Sequence, residues 1–303
     1  MSSKPRLLAL GLRMPLSSLL EVYGGLYSLL GSEFEVKEVT QEHDALQWLQ
    51  RPSDYVAVLI TDGAIASADG KRIPHKQVCL KLQQYLEQGG TIICCGYMPS
   101  DLTTQAHEVF PKVFGVPWHR GEYIRSTFQL NPGTCLGSVG LPAMYSMKAS
   151  HLGGVNPQDQ ALYTATNDSR VESFVFAPTP IDRSKNEFPA AFTKVFSGGH
   201  VGYVGDMNSE HPSSQVVLAM CRFARTKANA ATALAPGVAV AACNGQEGKT
   251  GQGGDQPHVC LRCGQSRPKM RLCGGCRKVR LCSEECQRAS WPQHKLVCGK
   301  QDS

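Results

Sequence analysis

At 303 residues, 42% hydrophobic and 18% charged, the chain has enough apolar material for one large folded domain and a small one, which excludes fibrous and wholly disordered classes. The formal charge of +6 is uneven: residues 257–303 carry ten Lys/Arg against three Asp/Glu, while the first 256 residues are close to neutral. No run of ~18 apolar residues occurs, which excludes a membrane-spanning helix.

The apolar run from Leu7 to Leu12 is broken by Arg13 and Pro15 and precedes no small-residue cleavage site, so it does not read as a signal peptide. The chain is expected to work in the cytoplasm, the nucleus or both. Over the first 115 residues, short β-rich runs alternate with amphipathic patterns, as in βαβ units closing a parallel sheet. Residues 6–12, 34–39, 55–60 and 91–95 read as strands, and 16–30, 41–50 and 75–88 as helices. In the third helix Val78, Leu82, Tyr85 and Leu86 fall near helical spacing, and Gly89-Gly90 supplies a left-handed stop.

Between 120 and 196 the pattern is less regular, with strands expected at 173–177 and 190–196 among Pro- and Gly-rich turns. A strand at 198–206 and a closing helix at 213–225, capped by Ser213 or Ser214, complete a doubly wound, mostly parallel α/β domain over residues 1–226. Asp62-Gly63, after the third strand, is either a ligand-facing loop at the carboxyl edge of the sheet or an ordinary turn. No Gly-x-Gly-x-x-Gly follows the first strand, so no dinucleotide is expected.

Residues 227–256 hold 14 Ala or Gly in 30 and no aromatic residue, too little to offset the entropy of ordering, and read as a flexible linker. Six of the thirteen cysteines, Cys79, Cys94, Cys95, Cys135, Cys221 and Cys243, are scattered and expected to be buried free thiols.

The other seven, with one histidine, run Cys260-x2-Cys263-x9-Cys273-x2-Cys276-x5-Cys282-x3-Cys286-x7-His294-x3-Cys298. Clustered thiols in a reducing compartment read as metal ligands, and with the histidine the eight ligands suffice for two tetrahedral zinc sites. Cys-x2-Cys pairs place two sulfurs on one tight turn, and the i, i+4 pairs Cys282/Cys286 and His294/Cys298 face one way on a helix. The spacing is compatible with either sequential or interleaved pairing. With all four positions on each metal filled by protein, the zinc ions are structural. Ser283 suits the cap of a first short helix, and Pro292 the start of a second.

The order of ligands, and the non-ligand residues of "LCSEECQRASWPQHKLVC", resemble the MYND-type zinc finger over residues 260–298. That resemblance implies a cross-braced arrangement, with Cys260, Cys263, Cys282 and Cys286 on one zinc and Cys273, Cys276, His294 and Cys298 on the other. It also implies a surface that binds proline-containing peptides of protein partners, with Gln287 and Trp291 at groove positions. The bland alternative is that Trp291 packs the small core and Gln287 is solvated. Arg277, Lys278 and Arg280 are expected to be a solvated face, because no aromatic interleaving supports a nucleic-acid groove. No SET-domain cofactor motif accompanies the finger.

The stretches "YLEQGGTIICCGYMPS" and "GGHVGYVGDMNSEHPSSQ" resemble parts of class I glutamine-amidotransferase-like folds, with the nucleophile position near Cys94 or Cys95 and an acid/base loop holding Glu210 and His211. This chain departs from the Gly-x-Cys-x-Gly and His-x-Glu patterns of active members. The expected reading is therefore a non-catalytic α/β scaffold tethered to a partner-binding finger. The alternative is a cysteine-dependent hydrolase or amidotransferase-like enzyme using Cys94 or Cys95.

Overall fold

Alternate residues of each central strand face opposite layers of helices. The computed structural model describes residues 4–14, 16–66, 73–102, 108–137, 140–173, 175–233, 258–259, 266–267, 270–274, 279–294 and 298. The chain begins β1 (Arg6–Leu10), α1 (Leu16–Glu33), β2 (Glu35–Val39), α2 (Glu42–Leu49), β3 (Ala57–Ile60), α3 (Lys76–Glu87), β4 (Thr91–Cys94) and a one-turn α4 (Met98–Asp101). It continues with β5 (His119–Leu130), β6 (Met144–Gly153), β7 (Tyr163–Ala165), β8 (Arg170–Val171), β9 (Thr179–Pro180), β10 (Ala190–Lys194), β11 (His200–Val204) and α5 (His211–Ala233). The C-terminal module holds β12 (His258–Val259), β13 (Ser266–Arg267), β14 (Arg271–Leu272), β15 (Arg280–Leu281) and α6 (Glu284–His294).

The main sheet has the order β10-β11-β4-β3-β1-β2 and is parallel except for β10, which runs antiparallel to β11. Leu8, Leu10, Val58, Ile60 and Ile92 join Leu49, Val78, Leu82 and Leu86 of α2 and α3 in one core. Their neighbours Leu7, Ala9, Ala57, Leu59 and Ile93 join Leu19, Leu26 and Leu30 of α1 and Val216 and Met220 of α5 in the other. The expected doubly wound, mostly parallel α/β layer is thus present, and both faces of its central strands are apolar because both are covered. Full burial of one such leucine contributes about 1.5–3 kcal/mol. At the end of α3, Gly89 (φ +89°) lets its N–H reach Leu86 O at 2.9 Å and the Gly90 N–H reach Tyr85 O at 2.8 Å, which ends the helix as anticipated.

The stretch from 119 to 153, where the sequence pattern is irregular, is a long antiparallel hairpin, β5 with β6, bulged between Arg120 and Tyr123 and extended by β7 on the other side of β5. Three expectations need correction. Residues 175–177 form no strand: the Ser173 hydroxyl accepts the N–H groups of Val175 (3.1 Å) and Phe176 (3.2 Å), and β8 pairs with β9 around this loop. The closing helix starts at His211 rather than behind Ser213, with Pro212 in the first turn where a missing N–H costs nothing. It also runs on to Ala233, because Ala-rich sequence favours helix. Pro292 lies inside α6 and does not open a second helix.

Cys79, Cys94, Cys95 and Cys221 are buried free thiols, but Cys135 is exposed, in a surface turn following Asn131. Cys243 and residues 234–256 of the expected linker lie outside the described residues. The chain divides into two compact units, Met1–Asn229 and Ala230–Ser303. Among the described residues no helix is long and apolar enough to cross a membrane.

Candidate functional site

In the C-terminal unit, two short ladders and one helix position the thiols. The Ser283 hydroxyl accepts the N–H of Cys286 at 3.2 Å, capping α6, and Glu284 and Glu285 lie at its positive end. The cap sets Cys286 in the first turn of α6, directly after Cys282 leaves β15. Their sulfurs lie 3.5 Å apart. In β14 and β15, Arg271 pairs with Leu281, and beyond that ladder the Cys273 N–H donates to Val279 O at 2.8 Å. This brings the Cys273 sulfur to 3.7 Å from that of Cys298.

Four sulfurs at about 2.3 Å from a tetrahedral zinc lie about 3.8 Å from one another, whereas a disulfide needs about 2.05 Å. Both sulfur pairs therefore have the spacing of neighbouring ligands on one zinc ion, and none of the four cysteines is in a disulfide. Cys260, Cys263 and Cys276 lie outside the described residues, as does the side chain of His294. Among the described residues of this unit, Cys273, Val279, Leu281 and Ser290 are buried. The Ser290 hydroxyl donates to Cys286 O at 2.6 Å, so its polar group is satisfied within the helix.

Gln287 and Trp291 stand one turn apart on α6, the i, i+4 relation that places two side chains on one face. Trp291 is 46% exposed. Arg280 is half-buried at the ladder, and Arg277 and Lys278 lie outside the described residues.

The other candidate cluster lies at the carboxyl edge of the main sheet. Cys94 ends β4 and Cys95 follows it, and period-two alternation sends their side chains to opposite faces. Cys94 enters the core under α2 and α3, and Cys95 the core under α1 and α5. Burial pushes the Cys95 thiol up to about 12 and raises the Cys94 thiol well above its ordinary value. Neither cysteine occupies a strained elbow. The positive-φ position of this turn is Gly96 (+66°), and among the described residues the non-glycines with positive φ are His75, Asn186 and Ser209. The space beside Cys95, lined also by Tyr23, Asp206 and Ser213, amounts to about 20 Å³, on the scale of one water molecule.

His211 opens α5 exposed to solvent, with its Nε2 3.3 Å from the Gln215 amide nitrogen. Glu210 receives the Arg125 guanidinium, reaching across from β5. Its backbone N–H donates to Asp206 Oδ2 at 2.7 Å, and the Asn208 N–H to Asp206 Oδ1 at 2.8 Å. Burial, and then the neighbouring Glu210 carboxyl, push Asp206 up to about 7. Sequence reading missed Arg125, because it sits on a hairpin strand whose pairing is long-range. Asp206 was visible at the end of an expected strand, but nothing local marked it as buried.

Asp62 is a structural turn residue. Its Oδ2 accepts the N–H groups of Arg13 (2.7 Å) and Met14 (2.8 Å), and its Oδ1 that of Ala64 (3.0 Å). Gly63 donates to Asp101 at 2.8 Å, and a Cβ at that position would fall 2.2 Å from Asp101 Cβ, so only glycine fits. The carboxylate of Asp62 thus fills the crevice between β1 and β3, where a doubly wound sheet commonly holds a ligand. A wider crevice of about 790 Å³ lies between β5–β7 and residues 181–188, where Lys185 pairs with Glu122 and Arg183 with Asn167.

Residues 260–298 match the family model of the MYND finger. The chain is 50% identical over 50 residues to the zinc finger MYND domain-containing protein 10 homolog of Drosophila melanogaster, a match covering 16% of this chain and 11% of that one. It is 40% identical over 45 residues to the human histone-lysine N-methyltransferase SMYD3, covering 15% of this chain and 10% of that one. The chain thus spans about a tenth of the length of these curated relatives. Among solved structures, a putative thua-like protein from Bacteroides uniformis aligns with a TM-score of 0.46 and 13% identity, over 74% of this chain and 93% of that one. A second putative thua-like protein, from Parabacteroides merdae, aligns with a TM-score of 0.43 and 12% identity, over 75% and 91%. The C-terminal module is a MYND finger, a zinc-binding protein-interaction module.

Proposed function

We propose that this chain is a zinc-dependent adaptor that acts in the cytoplasm, the nucleus or both. Its finger binds proline-containing peptides of a protein partner through Gln287 and Trp291, and its α/β domain is a non-catalytic scaffold. Two zinc ions hold the finger, one on Cys260, Cys263, Cys282 and Cys286, the other on Cys273, Cys276, His294 and Cys298. The 3.7 Å separation of the Cys273 and Cys298 sulfurs supports this interleaving, since a sequential pairing would assign them to different metals. Bound zinc supplies a cross-link between distant segments, without which a ~40-residue module has too little core to fold.

The observation that carries the peptide-binding reading is the exposure of Trp291 one turn beyond Gln287. A tryptophan packing the small core would be covered. An exposed indole face beside an amide offers an apolar surface for a proline ring and a hydrogen-bonding group for the extended peptide backbone. The scaffold reading is supported by Cys94 and Cys95, each sealed in a different core with its thiol held neutral. A thiol nucleophile needs access and a thiolate, and both are denied.

The test is calorimetric titration of proline-containing peptides into the zinc-loaded full chain, beside Trp291→Ala and a chelated sample. Binding by the wild type alone is expected. Equal binding by Trp291→Ala, or none by the zinc-loaded wild type, refutes the peptide-groove reading.

A further inference from the structure

Val175 and Phe176 are 79% and 75% exposed, the highest values among the large hydrophobic residues described. They open a six-residue run, Val175-Phe176-Ala177-Pro178-Thr179-Pro180, that is exposed throughout. The run is anchored at its base. Arg170 and Val171 of β8 pair with Pro180 and Thr179 of β9. The Glu172 carboxylate accepts the hydroxyls of Thr127 (3.1 Å) and Ser146 (2.9 Å), and the Ser173 hydroxyl holds the next two described N–H groups. Apolar side chains are thus presented mostly to water by a fixed base.

Pro178 and Pro180 have φ set by their rings, and each pushes the residue before it, Ala177 and Thr179, toward an extended conformation. Residues 177–180 are therefore held close to the conformation in which aromatic grooves take proline-containing strands, so little ordering entropy is lost on binding. The same polypeptide carries an exposed tryptophan with a glutamine one turn away. Each copy then offers one ligand and one groove, and two copies can satisfy both pairs reciprocally. The second contact becomes intramolecular once the first has formed.

We propose that the 175–180 loop of one copy is a ligand for the finger of a second copy, which makes the chain a self-associating adaptor whose groove is released to other proline-containing partners by competition. This inference rests on the reading of Gln287 and Trp291 as groove residues.

Sedimentation of the zinc-loaded full chain as a function of concentration tests it, beside Phe176→Ser, which removes an exposed side chain and no packing. The expected wild-type dissociation constant is on the order of 10–100 µM, as for small transient interfaces, weakened at least tenfold by Phe176→Ser. Phe176→Ser chains keep the groove and Trp291→Ala chains keep the loop, so a mixture of the two keeps one of the two contacts and is expected to associate more weakly than the wild type. A wild type that stays monomeric at about 200 µM, identical curves for wild type and Phe176→Ser, or a mixture that associates as tightly as the wild type overturns the proposal. A synthetic peptide of residues 172–183, titrated into Phe176→Ser beside unrelated proline-containing peptides, separates the two levels. If any of them binds while self-association fails, the groove reading survives and only this inference falls; if none binds, both fall.

Discussion

The sulfur of Cys273 lies 3.7 Å from that of Cys298, across twenty-five residues of sequence. Replacing one ligand of a four-ligand site removes the metal and the cross-link together. Cys273→Ser is therefore expected to lower the zinc content by at least one ion per chain and to abolish peptide binding, while the unfolding transition of the α/β domain stays in place. Elemental analysis and calorimetry read both quantities. A variant with the full zinc content would remove Cys273 from the ligand set.

Asp62 is 1% exposed and accepts three backbone N–H groups from two loops. Asp62→Ala would leave these donors without their acceptor, at an expected cost of about 2–4 kcal/mol and a lowered melting temperature. Asp62→Asn keeps one acceptor oxygen and should lose less. Thermal unfolding of the three proteins decides the order, and equal stability of Asp62→Ala and wild type would contradict the role assigned to this carboxylate.

Cys135 is exposed, whereas Cys94 and Cys95 are sealed under different helices. A thiol reagent applied to the native, zinc-loaded chain should modify Cys135 and leave Cys94 and Cys95 untouched until unfolding. Peptide mapping after labelling shows which sites react. Rapid labelling of Cys95 under native conditions would reopen the case for an enzyme.

Asp206 has its carboxyl raised from an ordinary 3.8 to about 7, first by burial and then by the neighbouring Glu210 carboxyl. The folded chain therefore holds this proton more tightly than the unfolded one. The associated stability is complete below about pH 4 and is lost as pH rises through about 7. Asn208 and Glu210 donate backbone N–H groups to Asp206, the Ser213 hydroxyl supports its charged form, and Arg125 reaches it only through Glu210. Relative to Asp206→Asn, the wild type should lose up to about 4 kcal/mol between pH 4 and 7. Denaturant unfolding across that range measures the difference, and parallel pH profiles would show that Asp206 does not carry the proton.

The four β-rich runs before residue 96 were readable because each has its own apolar pattern, and Gly89-Gly90 marks a local stop between the third helix and the fourth run. The β5–β6 hairpin was not. Its register depends on a bulge between Arg120 and Tyr123 and on partners up to thirty-four residues away, such as His119 with Gly153, and no local periodicity encodes a pairing of that kind. Residues 173–177 read as strand because Val and Phe favour one, yet residues 175–177 join no ladder, and the Ser173 hydroxyl takes the N–H groups of Val175 and Phe176 instead.

What the amino-acid order determined by itself is the ligand-type set of the finger with its short Cys-x2-Cys and i, i+4 spacings, and the α/β alternation of the first hundred residues. All of these are matters of short spacing, where covalent geometry already limits the outcome. Tertiary structure decided which distant thiols meet, as Cys273 and Cys298 do, and that two adjacent cysteines vanish into separate cores. It also decided that Glu210 faces Arg125, eighty-five residues away, rather than a thiol. Those outcomes depend on how strands pair and which helices cover them, and the free energy that selects them comes from burial summed over the whole domain.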